Sequence, residues 1–384
     1  MNNIKVLSIF GTRPEAIKMA PLIKRLEACD KIESIVCVTA QHREMLDQVL
    51  DIFNIFPNYD LNIMKDRQTI TGVTIKALNR LEEVIIKEKP DIVLVHGDTT
   101  TTFAGALAAF YQKVRVGHVE AGLRSGNMYS PYPEEMNRSL TGRLANLHFA
   151  PTVRNKKNLL KENIDENNII VTGNTVIDAL LSVIDENYEF INENINKLDF
   201  INKKVILLTS HRRENLGKPM KNIFNAVKRI VEENKDVEVV FPVHLNPKVR
   251  EIANSILKDI ERVHLIEPLD YKPFANLMAK SYLIMTDSGG IQEEAPSLGK
   301  PVVVLRTETE RPEAVEAGTV KVVGVKENDI FETVNELLNN EEKYKKMANA
   351  VNPYGDGKAS DRIVDALLYY FGIEKNSVKE FNIY

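Results

Sequence analysis

The chain has 384 residues, of which 43% are hydrophobic and 27% are charged, a composition typical of globular proteins with enough apolar side chains for two cores. Its 50 basic and 54 acidic residues give a net charge of -4. This balance excludes a general nucleic-acid or anionic-membrane surface but is compatible with a local basic pocket. No run approaches the roughly 18 apolar residues of a membrane span. Cys29 and Cys37 form no CxxC pair, so we expect a soluble cytoplasmic protein with free thiols.

Short apolar, β-branched runs alternate with longer amphipathic segments such as Thr69–Glu88 and Thr101–Gln112. The runs predict strands at Ile4–Phe10, Ser34–Thr39, Ile92–His96, Arg115–Val119, Leu147–Ala150, Ile169–Thr172, Val205–Thr209, Val237–Phe241, Val263–Ile266, Leu283–Thr286, Val302–Leu305 and Val320–Val323. Continuous apolar runs indicate strands buried on both faces, as in parallel sheets covered by helices. The fold class is therefore α/β, with two successive doubly wound, Rossmann-like domains.

The pattern restarts after a polar stretch, which is where the chain is expected to cross between domains. Glu186–Lys204 is rich in Asn, Lys and Glu, and this composition fits either a linker or a solvated helix. Thr172–Asn174, which contains a glycine, is the other candidate crossing point.

Ligands of open parallel sheets bind outside the carboxyl ends of the strands, so the residues after each strand are the candidate site residues. The first strand leads into Gly11–Glu15, where a helix N-terminus with Arg13 and Lys18 would bind an anion. A plain strand-to-helix turn is the alternative. The segment matches neither the GxGxxG fingerprint nor a phosphate-binding P-loop, so neither NAD nor a P-loop is indicated.

Acidic residues follow three elements of the first half. Asp98 is either a helix N-cap or a carboxylate of the site, because it ends a strand and precedes four threonines. Glu120 also follows a strand directly. Glu134 and Glu135 come after the long loop 125–133, and they suit either a helix dipole or a functional loop.

The second half places His211 and Arg212 after one strand and His244 after the next. A histidine beside arginines at a strand end is suited to binding pyrophosphate or donating a proton. Neither histidine has the spacing of a metal motif. Asp287–Gly290 opens a helix with a Ser-Gly-Gly turn that favours phosphate oxygens, although simple helix capping is the alternative.

Eleven segments in order resemble one family: GTRPEAIKMAP (11–21), TAQHREMLDQ (39–48), VLVHGDTTTT (93–102), GHVEAGLR (117–124), PEEMNR (133–138), TGNTVIDAL (172–180), SHRREN (210–215), PVHLNP (242–247), TDSGGIQEEAPSLGKPV (286–302), ERPEAVEAGTV (310–320) and NPYGDG (352–357). The chain resembles the non-hydrolysing UDP-N-acetylglucosamine 2-epimerases. The resemblance implies the glycosyltransferase-B architecture, with two Rossmann-like domains facing across a cleft. It implies domains at 1–172, with a returning C-terminal helix at about 359–384, and at 173–358.

The resemblance also implies the reaction, the partners and the site residues. UDP-N-acetylglucosamine (UDP-GlcNAc) and UDP-N-acetylmannosamine (UDP-ManNAc) would interconvert without bound NAD or metal, in a homodimer. The family's UDP-binding positions correspond to Arg13, Lys18, Phe274, Ser288, Gly289, Gly290, Glu294 and Arg311. Its catalytic positions correspond to Asp98, Glu120, Glu134 and His211. Positions for a second, allosteric UDP-GlcNAc that promotes domain closure correspond to Gln41, His42, Arg67, Arg212 and His244.

Two positions depart from the family pattern. Leu269 stands where relatives often have Gln at the nucleotide site, and Glu44 stands where some have Gln at the second site. Three further functions remain open for this sequence: a UDP-sugar glycosyltransferase on the same fold, a hydrolysing epimerase, and an inactive UDP-sugar-binding regulator. Retention of all three acids and His211 argues against the regulator, because binding alone does not require them.

Overall fold

A computed structural model describes residues 3–40, 43–63 and 68–382, with the side chains of residues 43 and 44 excepted. Contacts divide the chain into two compact units. The first unit comprises Met1–Ser182 and Tyr354–Asn382, and the second comprises Val183–Pro353. No helix in the described ranges is both long and apolar enough to cross a bilayer.

The strands lie close to the apolar runs of the sequence. In the described ranges they are β1 Ile4–Phe10, β2 Ile32–Val38, β3 Tyr59–Asp60, β4 Ile92–His96, β5 Arg115–Val119, β6 Leu147–Ala150, β7 Ile169–Val171, β8 Lys204–Thr209, β9 Val237–Pro242, β10 Val263–Ile266, β11 Leu283–Thr286, β12 Val302–Val304 and β13 Val320–Val322. All twelve predicted strands are present, with ends shifted by two residues or fewer. The strand β3 was not predicted, because two residues carry no periodic pattern and depend on pairing with the end of β2.

Helices connect the strands, as the amphipathic segments predict. The described helices are α1 Arg13–Glu27, α2 Arg43–Ile52, α3 Ile70–Glu88, α4 Thr100–Tyr111, α5 Glu134–Leu144, α6 Val153–Lys161, α7 Thr175–Val183, α8 Glu193–Asn196, α9 Lys218–Glu233, α10 Pro247–Leu257, α11 Tyr271–Lys280, α12 Gly289–Glu294, α13 Pro312–Glu316, α14 Glu327–Asn339, α15 Glu341–Ala348 and α16 Ala359–Tyr370. The polar stretch 186–204 is mostly irregular and contains only the short α8 in the part described.

Each unit is built on a parallel sheet, which confirms the predicted fold class. In the described residues, the first sheet has the order β3-β2-β1-β4-β5-β6-β7 and the second has the order β10-β9-β8-β11-β12-β13. The strand order reverses between β1 and β4 in the first sheet and between β8 and β11 in the second. Ligands of doubly wound sheets bind at such reversals, at the carboxyl ends of the strands.

The returning C-terminal segment packs within the first unit. The backbone N–H of Asn174 donates to the carbonyl of Tyr354 at 2.7 Å. The buried carboxylate of Asp178, on α7, accepts the backbone N–H groups of Ala359 and Ser360 at 3.2 and 2.7 Å and so caps α16. The residues between 173 and 182 therefore lie with the first unit, whereas the sequence draws a boundary after residue 172.

The core of each unit consists of the apolar strand residues and the helix faces that cover them. Val93 and Val95 of β4 are completely buried, as are Leu207 and Leu208 of β8. Cys37, in β2, is also buried, and burial raises the pKa of its thiol to about 12. A thiol with this pKa is protonated at neutral pH and is therefore a core residue rather than a nucleophile.

Gly11 is required where β1 turns into α1. A Cβ atom at this position would lie 2.1 Å from the Oγ1 atom of Thr39 and 2.7 Å from that of Thr101. These two hydroxyls are themselves hydrogen bonded at 2.9 Å. We expect Gly11→Ala to lower the free energy of unfolding by about 1–3 kcal/mol, because the methyl group overpacks a closed site. Urea unfolding followed by far-UV circular dichroism measures the change.

The double variant Gly11→Ala/Thr39→Ala is the matched control for this overlap. Removing the nearer hydroxyl should recover part of the lost stability, so the two substitutions should not be additive. Strict additivity would contradict the steric explanation.

Candidate functional site

Glu15 joins the two strand ends at the reversal point of the first sheet. Its buried carboxylate accepts the backbone N–H groups of Gly11 and Thr12 at 3.0 and 2.8 Å. Across the reversal it accepts the hydroxyls of Thr99 and Thr102, which begin α4, at 2.7 and 3.1 Å. Burial raises the pKa of Glu15, and these donors lower it. Glu15 therefore orders the loop that carries Arg13 and the loop that carries Asp98.

Glu120 lies at the carboxyl end of β5 in the left-handed backbone region, with φ of 60°. Side chains other than glycine are uncommon in this region, and such residues cluster at functional sites. Its Oε2 atom forms an ion pair with the ammonium group of Lys18. The same oxygen accepts the side-chain amide of Asn174 at 3.0 Å and lies 3.7 Å from Nε2 of His96. Lys18 and Asn174 thus orient this carboxylate.

Asp98 lies beside Glu120 at the end of β4. A Cβ atom on the preceding residue, Gly97, would be 4.0 Å from Oε1 of Glu120. The carboxylate of Asp98 forms an ion pair with Arg138 on α5. Asp98 is not the N-cap of α4; Thr99 takes that position, and its hydroxyl accepts the N–H of Thr102. The side chain of Asp98 is therefore available to the site.

The electrostatics of this cluster differ between its members. Burial raises the pKa of Asp98 above its usual value, with Arg138 lowering it and Glu120 raising it further. Burial lowers the pKa of His96 to about 4. At neutral pH the buried His96 is therefore an uncharged neighbour of Glu120, whereas Asp98 is a carboxyl group with increased proton affinity.

Two further predicted residues of the first unit are each the first residue of a helix. Glu134 is half-buried and begins α5, and Arg13 is exposed at the start of α1. Lys18 was predicted as a UDP contact, and the structure pairs it with Glu120. Its contact with UDP stays a prediction. Gln41, His42 and Arg67 lie outside the described residues.

Asp287 organises the reversal point of the second sheet. It follows β11 and is completely buried. Its Oδ2 atom accepts the backbone N–H groups of His211 and Arg212, both at 2.9 Å. It also accepts Nδ2 of Asn215 at 3.0 Å and the hydroxyl of Ser210 at 3.2 Å. One carboxylate therefore holds the whole turn after β8 against the turn after β11.

Two guanidinium groups converge on the glycine turn after Asp287. A Cβ atom on Gly289 would lie 3.8 Å from Nη2 of Arg212 and 3.9 Å from Cζ of Arg311. Arg311 is oriented by an ion pair with the buried Glu293, and Nε of Arg212 donates to the carbonyl of Asp287 at 3.2 Å. Bare backbone between two cations is suited to phosphate oxygens. Arg212, predicted for the second site, thus shares a location with the residues predicted for UDP.

The other predicted residues of the second unit surround this turn. Ser288 takes the N-cap position of α12 without a side-chain capping bond. Glu294 lies under Gly290, whose Cβ position is 3.7 Å from Oε2 of Glu294, and the hydroxyl of Tyr271 donates to Oε1 of Glu294 at 3.4 Å. Phe274 lies half-buried on α11, one turn after Tyr271.

His211 is held between an acid and a second histidine. Its Nδ1 atom lies 3.3 Å from Oδ1 of Asp287. Its ring stacks on that of His244, with centroids 5.4 Å apart and an angle of 14° between the planes. Burial lowers the pKa of His211, as do His244 and Arg212, whereas Asp287 raises it.

Several residues that orient the candidate site residues of the two units were not predicted from the sequence. Glu15, Asn174 and Arg138 occur within the resembling segments but received no role, and Asp287 was considered only as a cap. In the sequence, each of these residues can be recognised only as a charged or amide side chain within an apolar segment or a loop. Only burial and the partner atoms distinguish such a residue from a solvated one. Among the described residues, no group of three His, Cys, Asp or Glu side chains could hold a metal ion.

Comparisons with known proteins all point to one family. The family model for UDP-N-acetylglucosamine 2-epimerase matches residues 24–368. The UDP-N-acetylglucosamine 2-epimerase of Bacillus subtilis (strain 168) is 59% identical over 382 residues, which cover 99% of both chains. A Listeria monocytogenes crystal structure assigned to the same activity has a TM-score of 0.94 at 53% identity, covering 99% of this chain and 100% of that one. The structure of a Neisseria meningitidis UDP-GlcNAc 2-epimerase bound to UDP-GlcNAc has a TM-score of 0.84 at 55% identity, covering 95% and 100%.

The substitution Asp287→Asn tests whether Asp287 organises the turn after β8. The amide would direct a donor at groups that already donate, so we expect the free energy of unfolding to fall by about 2 kcal/mol. Affinity for UDP should fall about tenfold, because the turn that carries Arg212 loosens. Urea unfolding and isothermal titration with UDP provide the two measurements. Asp259→Asn, at an exposed position of the same unit, is the control, and equal behaviour of the two variants would contradict this role for Asp287.

Proposed function

The chain belongs to the UDP-N-acetylglucosamine 2-epimerase family and is an enzyme of that activity, and we propose that it interconverts UDP-GlcNAc and UDP-ManNAc by elimination and re-addition of UDP. The observation that carries the proposal is the pair of carboxylates Asp98 and Glu120 at adjacent strand ends of the first unit. Each has a cationic partner, Arg138 and Lys18 respectively. Two acids of this kind fit a reaction that removes a proton and later returns it.

The chemistry of the substrate explains why elimination comes first. The hydrogen on C2 of an N-acetylhexosamine is not adjacent to a carbonyl, so its direct removal is very hard. Cleavage of the C1–O bond sends the electron pair to UDP and leaves an oxocarbenium-like centre at C1, which carboxylates stabilise. A carboxylate then takes the C2 proton, and the C–H electron pair forms the C1–C2 double bond of 2-acetamidoglucal. Proton delivery to the opposite face of C2 and return of UDP to C1 complete the epimerisation.

In this proposal the first unit acts on the sugar. Asp98, Glu120 and Glu134 supply the acid and base, and the raised pKa of Asp98 brings its protonation closer to neutral pH. Assignment of one carboxylate as the base is not needed, because closely coupled acids share their titration steps. Lys18 and Asn174 hold Glu120 in place.

The second unit stabilises the leaving group. Arg311, Arg212 and the Gly289 turn place positive charge and backbone where a diphosphate can bind, so that negative charge developing on UDP is compensated. His211, whose Nδ1 atom lies 3.3 Å from Oδ1 of Asp287, supplies a further hydrogen-bond donor to the diphosphate. Glu294, beneath Gly290, accepts ribose hydroxyls, and Arg13 and Phe274 complete the UDP-binding set carried over from the family.

Turnover in deuterium oxide tests the proposed mechanism. Because the base exchanges its proton with solvent while the intermediate is bound, the product should carry deuterium at C2 and none at C3. Proton NMR of UDP-GlcNAc incubated with the enzyme alone follows both positions. Asp98→Asn and Glu120→Gln should each lower turnover about 100-fold or more while leaving the affinity for UDP nearly unchanged.

Three outcomes would contradict the mechanism. Deuterium at C3, or a requirement for added NAD, would indicate keto chemistry at C3. Free UDP that accumulates in proportion to turnover would identify a hydrolysing epimerase. A reaction that starts only when a sugar acceptor is added would identify a glycosyltransferase.

A homodimer and a cytoplasmic location complete the proposal. Helices α3 and α4, which pack against each other, expose Ile75, Ile86, Phe110 and Tyr111, and apolar side chains of this size favour burial against a second copy of the chain. Cys29 and Cys37 are free thiols, which suits a reducing compartment.

A second UDP-GlcNAc site is the remaining part of the proposal. His244 is exposed and stacks on His211, so a ligand bound at His244 would contact the catalytic histidine. A ligand that binds one conformation preferentially shifts the population toward it. The rate should therefore depend sigmoidally on UDP-GlcNAc, and pure UDP-ManNAc should react only after a lag that added UDP-GlcNAc removes. His244→Ala should flatten the sigmoid, and immediate full-rate conversion of pure UDP-ManNAc would contradict a second site.

A further inference from the structure

The first two turns of α5 carry three buried polar side chains that contact Asp98, the loop before the helix, or each other. Glu135, Asn137 and Arg138 are all buried. Burial of polar and charged groups is costly unless each is paired, so such a cluster requires a reason beyond the fold. The cluster belongs to the segment PEEMNR, in which only Glu134 has been given a role.

Arg138 and Asn137 hold both ends of Asp98. The guanidinium of Arg138 forms an ion pair with Oδ2 of Asp98. The side-chain amide of Asn137 donates to the backbone carbonyl of Asp98 at 3.0 Å. The orientation of the Asp98 carboxylate relative to its own backbone is thus set by adjacent residues of one helix.

Glu135 in turn holds Arg138. Its Oε2 atom lies 3.1 Å from Nη1 of Arg138. The same carboxylate accepts the backbone N–H groups of Ser125 and Gly126, at 3.0 and 3.1 Å. A continuous chain of ion pairs and hydrogen bonds therefore runs from the start of the loop 125–133 through Glu135 and Arg138 to Asp98.

We propose that Arg138 is a positioning residue for the reaction, which sets the orientation and the protonation of Asp98, and that Glu135 aims Arg138. This inference rests on the proposed function, in which Asp98 transfers or stabilises charge. The charged groups that influence Asp98 are Arg138, Glu120 and Lys18, and Arg138 also faces Glu135. Arg138 forms an ion pair with the Asp98 carboxylate, so its removal takes away this stabilisation and leaves the negative charge of Glu120 nearby.

The sign of the effect follows from these neighbours. Without the guanidinium, the charged form of Asp98 loses its stabilising partner, so the pKa of Asp98 rises further. If Asp98 acts as a base, the acidic limb of the rate profile moves to higher pH. If Asp98 acts as an acid, the alkaline limb moves in the same direction. A purely structural role for Arg138 would reduce the rate without moving either limb.

The experiment compares Arg138→Met and Arg138→Lys with Arg143→Met, which changes an exposed arginine on the same helix. Turnover of UDP-GlcNAc is measured across pH, and UDP binding and thermal unfolding are measured in parallel. We expect Arg138→Met to lower kcat about 100-fold, the lower end of what a positioned general acid or base contributes. One limb should move upward by about one pH unit, with little change in UDP affinity. Arg138→Lys should recover part of the rate and of the shift, and Arg143→Met should match the wild type.

A rate loss in Arg138→Met with an unmoved pH profile would overturn the proposal. If Arg138→Met does not fold, Arg138→Lys decides, because a lowered rate with a shifted pH profile supports the role and a lowered rate with an unmoved profile overturns it. Asp98→Asn separates this proposal from the proposed function. Near-normal turnover of Asp98→Asn would refute the role of Asp98 itself, whereas an inactive Asp98→Asn with an unmoved Arg138→Met profile refutes only the positioning role.

Discussion

A buried carboxylate lies at the point where the strand order reverses in each sheet, and the residues around that point in each unit depend on it. Glu15 in the first unit accepts hydrogen bonds from the turn after β1 and from the turn after β4. Asp287 in the second unit follows β11 and accepts hydrogen bonds from the turn after β8. A buried charge is tolerated only when its lone pairs are satisfied, so the donors must converge on it. These hydrogen bonds fix the turns that carry Asp98, Arg13, His211 and Arg212. The proposed mechanism requires turns ordered in this way, because a preorganised site reorganises little during the reaction.

In the proposed mechanism, the chemistry is divided between the two units. The first unit presents carboxylates at its sheet edge, with Glu120 held in an uncommon backbone conformation by Lys18 and Asn174. The second unit presents two guanidinium groups around a glycine turn. Acids suit a sugar on which positive charge develops and a proton moves. Cations and bare backbone suit a departing diphosphate, and neither set would perform the other's task.

Arg138 extends this arrangement from the strand ends into the helical layer. The catalytic set carried over from the family contains only Glu134 from this helix, yet the adjacent turn of α5 supplies the groups that contact Asp98. Buried ion pairs contribute little net stability. The main effect of the Arg138–Asp98 pair is therefore on the orientation and the proton affinity of the Asp98 carboxylate. The link through Glu135 to Ser125 and Gly126 connects the acid with the loop that precedes α5.

The sequence by itself determined the parallel α/β class, the twelve predicted strands and the strand-end segments that contain the candidate site residues, because continuous apolar runs and glycine turns report local burial and backbone shape. The tertiary structure alone decided the partners. Lys18 meets Glu120 across 102 positions, and Arg138 meets Asp98 across 40. It also produced β3, which has no pattern of its own, and placed Thr99 rather than Asp98 at the N-cap of α4. Pairing of this kind depends on which strand ends become neighbours in the folded sheet, and no local run of residues encodes that order.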